Sequence, residues 1–136
     1  MEWKKENFRV SDCKDLLDLD TIYEWLTTSY WASDRKKETV KESIDQSLCF
    51  GLYDGTGQVG FARAVTDKVV FSWLMDVVVT ESYRGQGLGQ WFLQCILEHP
   101  DLKDTRMGLT TKDAHPFYEK FNFEKVECMR QPRRSF

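Results

Sequence analysis

The stretch Val77-Val78-Val79-Thr80-Glu81-Ser82-Tyr83-Arg84-Gly85-Gln86-Gly87-Leu88-Gly89-Gln90-Trp91-Phe92 passes from an apolar run, through three alternating glycines, into helical spacing. Glycine permits positive φ and places no Cβ between the backbone and a ligand. Where a helix begins, free N–H groups and the positive end of the helix dipole point the same way. Glycines at that junction therefore make an anion site, above all for phosphate. Arg84 adds a cation at the rim of the loop. The structural alternative is a tight strand-to-helix turn with no ligand, and the spacing decides between phosphate loops. Walker A needs Lys-Ser/Thr after its last glycine, and Gln90-Trp91 follows Gly89 here. The dinucleotide pattern G-x-G-x-x-G starting at Gly85 requires glycine where Gln90 stands. Neither template fits.

On the N-terminal side of the junction, Val69 to Val79 reads as a long apolar strand, central and covered on both faces. Before it, Leu48, Phe50 and Leu52 alternate with Cys49, Gly51 and Tyr53, and Val59, Phe61, Arg63 and Val65 with Gly60, Ala62 and Ala64. The turn Asp54-Gly55-Thr56-Gly57 between these runs predicts a β-hairpin. Leu19, Ile22, Tyr23, Leu26 and Tyr30 mark a first amphipathic helix. A second is predicted to start near Ser33 or Asp34 and run to about Gln46, with Val40 and Ile44 inward.

On the C-terminal side, Leu88, Trp91, Phe92, Cys95 and Ile96 share one helix face, which His99-Pro100 ends. A strand over Arg106–Thr110, a short helix over Ala114–Phe121 and a last strand over Glu124–Arg130 complete the order βααβββαβαβ. This is one α/β layer structure with a mixed sheet.

Bulk composition sets the class. The 136 residues, without repeat or linker, suit one domain over residues 1–136, and 41% hydrophobic content suffices for an ordinary core. A net charge of −3 argues against a nucleic-acid partner. The run Arg130 to Arg134 reads as a solvated tail. No stretch approaches the ~18 apolar residues of a membrane span, and Met1–Glu6 has no signal-peptide core. The expectation is a soluble, cytoplasmic protein without membrane contact. Cys13, Cys49, Cys95 and Cys128 form no C-x-x-C pair, and Cys49 and Cys95 sit in apolar runs as small buried hydrophobes. With His99 and His115 far apart, no metal site is expected.

Arg84-Gly85-Gln86-Gly87-Leu88-Gly89 after a buried strand resembles the Arg-x-x-Gly-x-Gly signature of the GNAT superfamily of N-acetyltransferases. Asp76-Val77-Val78-Val79 before it and Ala114-His115-Pro116-Phe117-Tyr118-Glu119-Lys120-Phe121-Asn122-Phe123 after it resemble that family's successive motifs, in the correct order. The resemblance implies an α/β (α+β) GNAT fold: a mixed, mostly antiparallel sheet of about six to seven strands flanked by about four helices. It implies an acyltransferase that moves an acetyl group from acetyl-CoA, its co-substrate, directly onto a primary amine of a small molecule or protein. It places the coenzyme pyrophosphate on Arg84, Gly85, Gln86, Gly87, Leu88, Gly89 and Gln90, and the pantetheine arm along the backbone of Val77, Val78 and Val79. One backbone amide of that strand is expected to hold the oxyanion.

By the same resemblance, Tyr118 occupies the position of a tyrosine that hydrogen-bonds the coenzyme sulfur and can protonate it. A phenol with an ordinary pKa near ~10 carries its proton at neutral pH. Asp76, in an otherwise apolar strand, can act as a general base or bind a cationic amine; equally it can be a structural aspartate bonded to a neighbouring loop. Ser29-Tyr30-Trp31 corresponds to a region that walls the acceptor site, with Tyr30 and Trp31 as candidate substrate-binding rings and packing into the core as the alternative. His115 reads as a cap or surface group, and His99 as a C-terminal capping cation. Two departures stand out: Asn122 where the family favours glycine, and Thr111 where many members carry asparagine. Relatives often dimerise, which leaves a homodimer open. The rival functions are a catalytically silent coenzyme A-binding module and a nucleotide-binding regulator, the latter weakened by the missing Walker lysine.

Overall fold

The computed structural model describes residues 1–132. Its elements are β1 (Glu2–Lys5), β2 (Phe8–Ser11), α1 (Leu19–Thr27), α2 (Lys37–Asp45), β3 (Leu48–Tyr53), β4 (Gln58–Thr66), β5 (Phe71–Val79), α3 (Leu88–Glu98), β6 (Arg106–Gly108) and α4 (His115–Glu119). The six strands lie in one sheet in the order β1-β2-β3-β4-β5-β6. All neighbours are antiparallel except β5 and β6, which run parallel through the helical connection α3.

Strand side chains alternate between faces, and β4 shows how this builds two layers. Phe61 packs with Ile22 and Leu26 of α1 and Val40 and Ile44 of α2. Its neighbour Ala62, with Ala64, packs with Leu88, Phe92, Leu93 and Ile96 of α3. The α3 stripe read from sequence is the buried one: Phe92 and Cys95 are 1% and 2% exposed. Burying a Phe or Leu in this way contributes about 1.5–3 kcal/mol. Cys49 and Cys95 are buried free thiols, pushed up to about 11 and about 12 by desolvation, and so remain inert protonated hydrophobes.

Several expectations require correction. The single opening strand is a hairpin, β1 paired with β2. α1 ends at Thr27, so Tyr30 lies beyond its stripe. α2 begins at Lys37 rather than at Ser33 or Asp34, and its N-cap Lys36 makes no side-chain cap bond. The residues between are drawn inward instead, with Ala32 and Arg35 buried. β5 starts at Phe71, because the Asp67 carboxylate accepts the N–H groups of Val69, Val70 and Phe71 and forms a turn there. Val69 and Val70 are consequently exposed. β5 is flanked by strands on both sides at its start, but its faces are not equally covered: Ser72, Leu74 and Asp76 are buried while Phe71 is 42% exposed.

The strand expected over Glu124–Arg130 is absent. That segment lies outside any ladder, with Val126 80% and Met129 99% exposed. A strand needs a partner, and β6 presents only the three residues Arg106–Gly108. Arg133 and Arg134 of the basic run lie outside the described residues. Among the described residues, no helix is long and apolar enough to cross a membrane.

Candidate functional site

The strand-to-helix junction holds an array of unused donors. Arg84 N–H donates to Glu81 O at 3.2 Å and Trp91 N–H to Gly87 O at 3.1 Å. Between them, the N–H groups of Gly85, Gln86, Gly87, Leu88, Gly89 and Gln90 have no acceptor among the described residues. Gly85 and Gly87 take φ 80° and 78°, the left-handed region that favours glycine, and a Cβ on either would have nothing within 4 Å. Gly87 is the N-cap of α3, so the array also sits on the positive end of that helix. Arg84 Nε donates to Val79 O at 3.2 Å, which holds its guanidinium at the strand end. The loop base is pinned by Tyr83, whose hydroxyl donates to Asp54 in the β3–β4 turn and whose ring packs edge-on against Phe8.

β6 pairs β5 only over Phe71–Trp73, so Leu74 to Val79 has no strand on that side among the described residues. Thr80 N–H bonds Val59 O across the β4 ladder. Val79, one residue earlier, therefore turns its N–H and C=O to the open side. Between the pairs Arg63–Met75 and Phe61–Val78, two β5 residues oppose one β4 residue, forming a β-bulge. Asp76 lies in this bulge at φ 58°. It is 5% exposed, and its Oδ2 accepts from Arg35 Nη1 at 2.7 Å and Arg63 Nε at 2.9 Å. Its Oδ1 accepts from Trp31 Nε1 at 3.2 Å.

α4 rests on the same junction, with the Phe117 ring 3.8 Å from where a Gly89 Cβ would stand. Tyr118 is its neighbour, edge-on to Phe117. Burial, and secondarily the nearby Tyr30, push the Tyr118 phenol up to about 12. Asn122 closes the following turn at φ 69°, a conformation asparagine tolerates. Thr111 accepts the Ala114 N–H at the start of α4. Tyr30 and Trp31 are 58% and 42% exposed and meet edge-on at 5.1 Å, so neither is a core residue. Trp31 lines a cleft of about 260 Å³ together with Trp25, Val78, Val79, Thr80 and Arg84. The Thr80 hydroxyl at this cleft is buried without a partner.

The structure thus brings Val77–Val79, Arg84–Gln90, Asp76, Tyr30, Trp31 and Tyr118 around the open side of β5. His99 lies elsewhere, at the C-cap of α3 as expected: its Nδ1 accepts the Asp101 N–H and its Nε2 bonds Asp12. Sequence reasoning missed Arg35, Arg63, Trp25 and the orphan Thr80 hydroxyl. The available signal was Arg63 itself, a charged residue in an alternating apolar strand. No group of His, Cys, Asp and Glu suited to a metal occurs among the described residues.

A family model described as an acetyltransferase (GNAT) domain matches residues 45–125. A Gibberella zeae protein provisionally named as an acetyltransferase is 33% identical over 139 residues, which cover 85% of this chain and 78% of that one. A crystal structure from Xanthomonas campestris pv. campestris, provisionally assigned as a GNAT-family acetyltransferase, is 34% identical with TM-score 0.88 and covers 93% of both chains. Glucosamine-6-phosphate N-acetyltransferase from Arabidopsis thaliana shares the fold at 15% identity and TM-score 0.64, covering 93% of this chain and 97% of that one. With its motifs, its sheet and these relatives in agreement, this chain belongs to the GNAT family of acetyltransferases.

Proposed function

We propose that residues 1–136 act as one GNAT domain that transfers the acetyl group of acetyl-CoA to a primary amine in a ternary complex. The observation that carries this reading is the run of six unbonded N–H groups from Gly85 to Gln90, beside Arg84 and on the N-terminus of α3. A pyrophosphate supplies the acceptors this array lacks. The empty space at Gly85 and Gly87 admits it. The open edge of β5 suits the amide-bearing pantetheine arm, which would bond to Val79 as an added strand does.

When bound, the co-substrate supplies an acetyl thioester. A backbone N–H of β5 other than the one that bonds the pantetheine arm then serves as the oxyanion donor. Tyr118 donates a hydrogen bond to the departing sulfur. Burial disfavours the ionised phenol, so in this reading Tyr118 stabilises the thiolate by hydrogen bonding. Asp76 has both oxygens engaged by donors, and we assign it a structural part in the site. Amine deprotonation falls to solvent or to the acceptor's own equilibrium.

The test is thiol release from acetyl-CoA across a panel of primary amines, alongside calorimetry with coenzyme A, ATP and NAD. Coenzyme binding with amine-dependent thiol release is expected. Coenzyme binding with no response to any amine would leave the silent module, and nucleotide binding without coenzyme binding would refute both.

A further inference from the structure

We propose that Asp76 is a positioning residue: through the Trp31 indole it holds the loop between α1 and α2 across the open side of β5, and so sets acceptor binding. This rests on the acetyltransfer reading above. Asp76 collects three donors from two segments. Arg63 comes from β4, while Trp31 comes from the middle of the α1–α2 loop and Arg35 from its end before α2. Arg63 is itself fixed by Ser47 Oγ at 3.1 Å. The far side of the loop is held as well, because Tyr30 accepts the Lys112 N–H at 3.3 Å and the Lys112 ammonium lies 5.4 Å from the Tyr30 ring centre. The Tyr30–Trp31 pair thus spans from the β5 bulge to the segment after β6.

Two features mark this as more than packing. A carboxylate and two guanidiniums, all under 9% exposed, tolerate few arrangements, since any displacement leaves a buried charge without its partner. Asp76 also holds a left-handed backbone conformation inside a strand. Such strain persists only where surrounding contacts over-determine it, and it concentrates at binding sites. The partly exposed Trp31 face, held by Asp76 and lining the cleft beside Val79, is then a fixed wall against which the acceptor amine is presented. Trp31 and Arg84 line the same cleft, but among the described residues no side-chain hydrogen bond joins the loop at Arg84–Gln90 to Asp76, Arg35 or Arg63.

The test compares full-length wild type with Trp31→Phe, which removes the indole N–H but leaves both ion pairs, and with Asp76→Asn. For Trp31→Phe the expected result is a rise of about three- to tenfold in acceptor KM, the loss of one hydrogen bond. Its kcat and the coenzyme A Kd should move by less than about twofold. Amide hydrogen exchange over residues 28–36 should quicken in both variants, while residues 85–96 stay unchanged. Unchanged acceptor KM together with unchanged exchange over 28–36 overturns the proposal, as does a coenzyme Kd that weakens in step with KM. If wild type acetylates no amine, the acetyltransfer reading fails on its own. Exchange in Trp31→Phe still decides the loop: faster exchange supports the Asp76 tether and unchanged exchange refutes it.

Discussion

Gly87→Ala separates backbone strain from ligand exclusion, because the free protein has room for the new methyl group. Gly87 sits at φ 78°, ψ 0°, and an added Cβ meets nothing within 4 Å. The cost to the fold is thus the left-handed conformation, about 1–2 kcal/mol, partly offset by the lower unfolded-state entropy of alanine, about 0.4–1 kcal/mol. A net loss of about 1 kcal/mol remains. At an unfolding entropy of about 2.1 cal/mol/K per residue, a chain of 136 residues loses about 3–4 °C in Tm for each kcal/mol.

Binding should suffer more than stability. On the proposed reading, a phosphate held by the unbonded amides around Gly87 closes on the space that is open in the free protein, and a Cβ there competes with it. Hydrogen bonds to a charged group contribute about 1.5–3 kcal/mol each, so displacing one weakens the coenzyme A Kd by about ten- to a hundredfold. Calorimetric titration with coenzyme A, and with pantetheine, which lacks the pyrophosphate, isolates the effect, because only the first ligand should weaken. Gly55→Ala is the control: that Cβ also meets open space, without positive φ, and neither Tm nor Kd should change. A Gly87→Ala protein that loses a few degrees but binds coenzyme A like wild type refutes the cradle.

Three further outcomes are expected. Tyr118→Phe should lower kcat about ten- to a hundredfold, as for one hydrogen bond to a charged sulfur, while the coenzyme A Kd stays within about twofold; equal turnover would remove Tyr118 from the chemistry. The Asp54 carboxyl is held well below the carboxylate range, first by the Tyr83 hydroxyl and then by Thr56 and Gly57. A depressed folded-state pKa gives stability that is complete above the unfolded value near ~3.9 and is lost as pH falls through the folded one. Thermal melts between about pH 5 and pH 2 should therefore fall more steeply for wild type than for Asp54→Asn, and parallel curves would sink this linkage. Phe92→Ala, at a site 1% exposed in the core, should cost about 3–5 kcal/mol in denaturant unfolding, and a loss under about 1 kcal/mol would contradict the packing described.

Legibility in the sequence followed the range of the physics involved. The glycine junction and α3 were readable because their causes are local: positive φ at Gly85 and Gly87, and a helical stripe through Leu88, Phe92 and Ile96. The start of α2 was misread for a tertiary reason. Ser33 and Asp34 are competent caps, but the chain there is committed to placing Ala32 and Arg35 inward, and the helix waits until Lys37. The last strand failed in the opposite way: Val126 and Cys128 have the alternation, but the segment joins no ladder and both are exposed. Asp76 was visible as an anomaly in an apolar strand, but its partners lie 13, 41 and 45 residues away. No local pattern names such partners, although Arg63, an opposite charge at the centre of the adjacent strand, was the usable clue.

That contrast divides the site by the origin of its order. On the proposed assignment, the donor half is backbone geometry over the seven consecutive residues Arg84–Gln90, and its chemistry, N–H groups and a cation facing an anion, is indifferent to what the acceptor is. The acceptor half depends on side chains drawn from the α1–α2 loop, β4 and β5, and small changes at Tyr30, Trp31 or Arg35 reshape it without disturbing the loop at Arg84. No side-chain hydrogen bond or ion pair joins residues 84–90 to Trp31, Arg35, Arg63 or Asp76 among the described residues. A chain with this glycine loop identifies its donor from a short stretch of sequence, whereas its acceptor has to be sought in contacts that only the folded chain assembles.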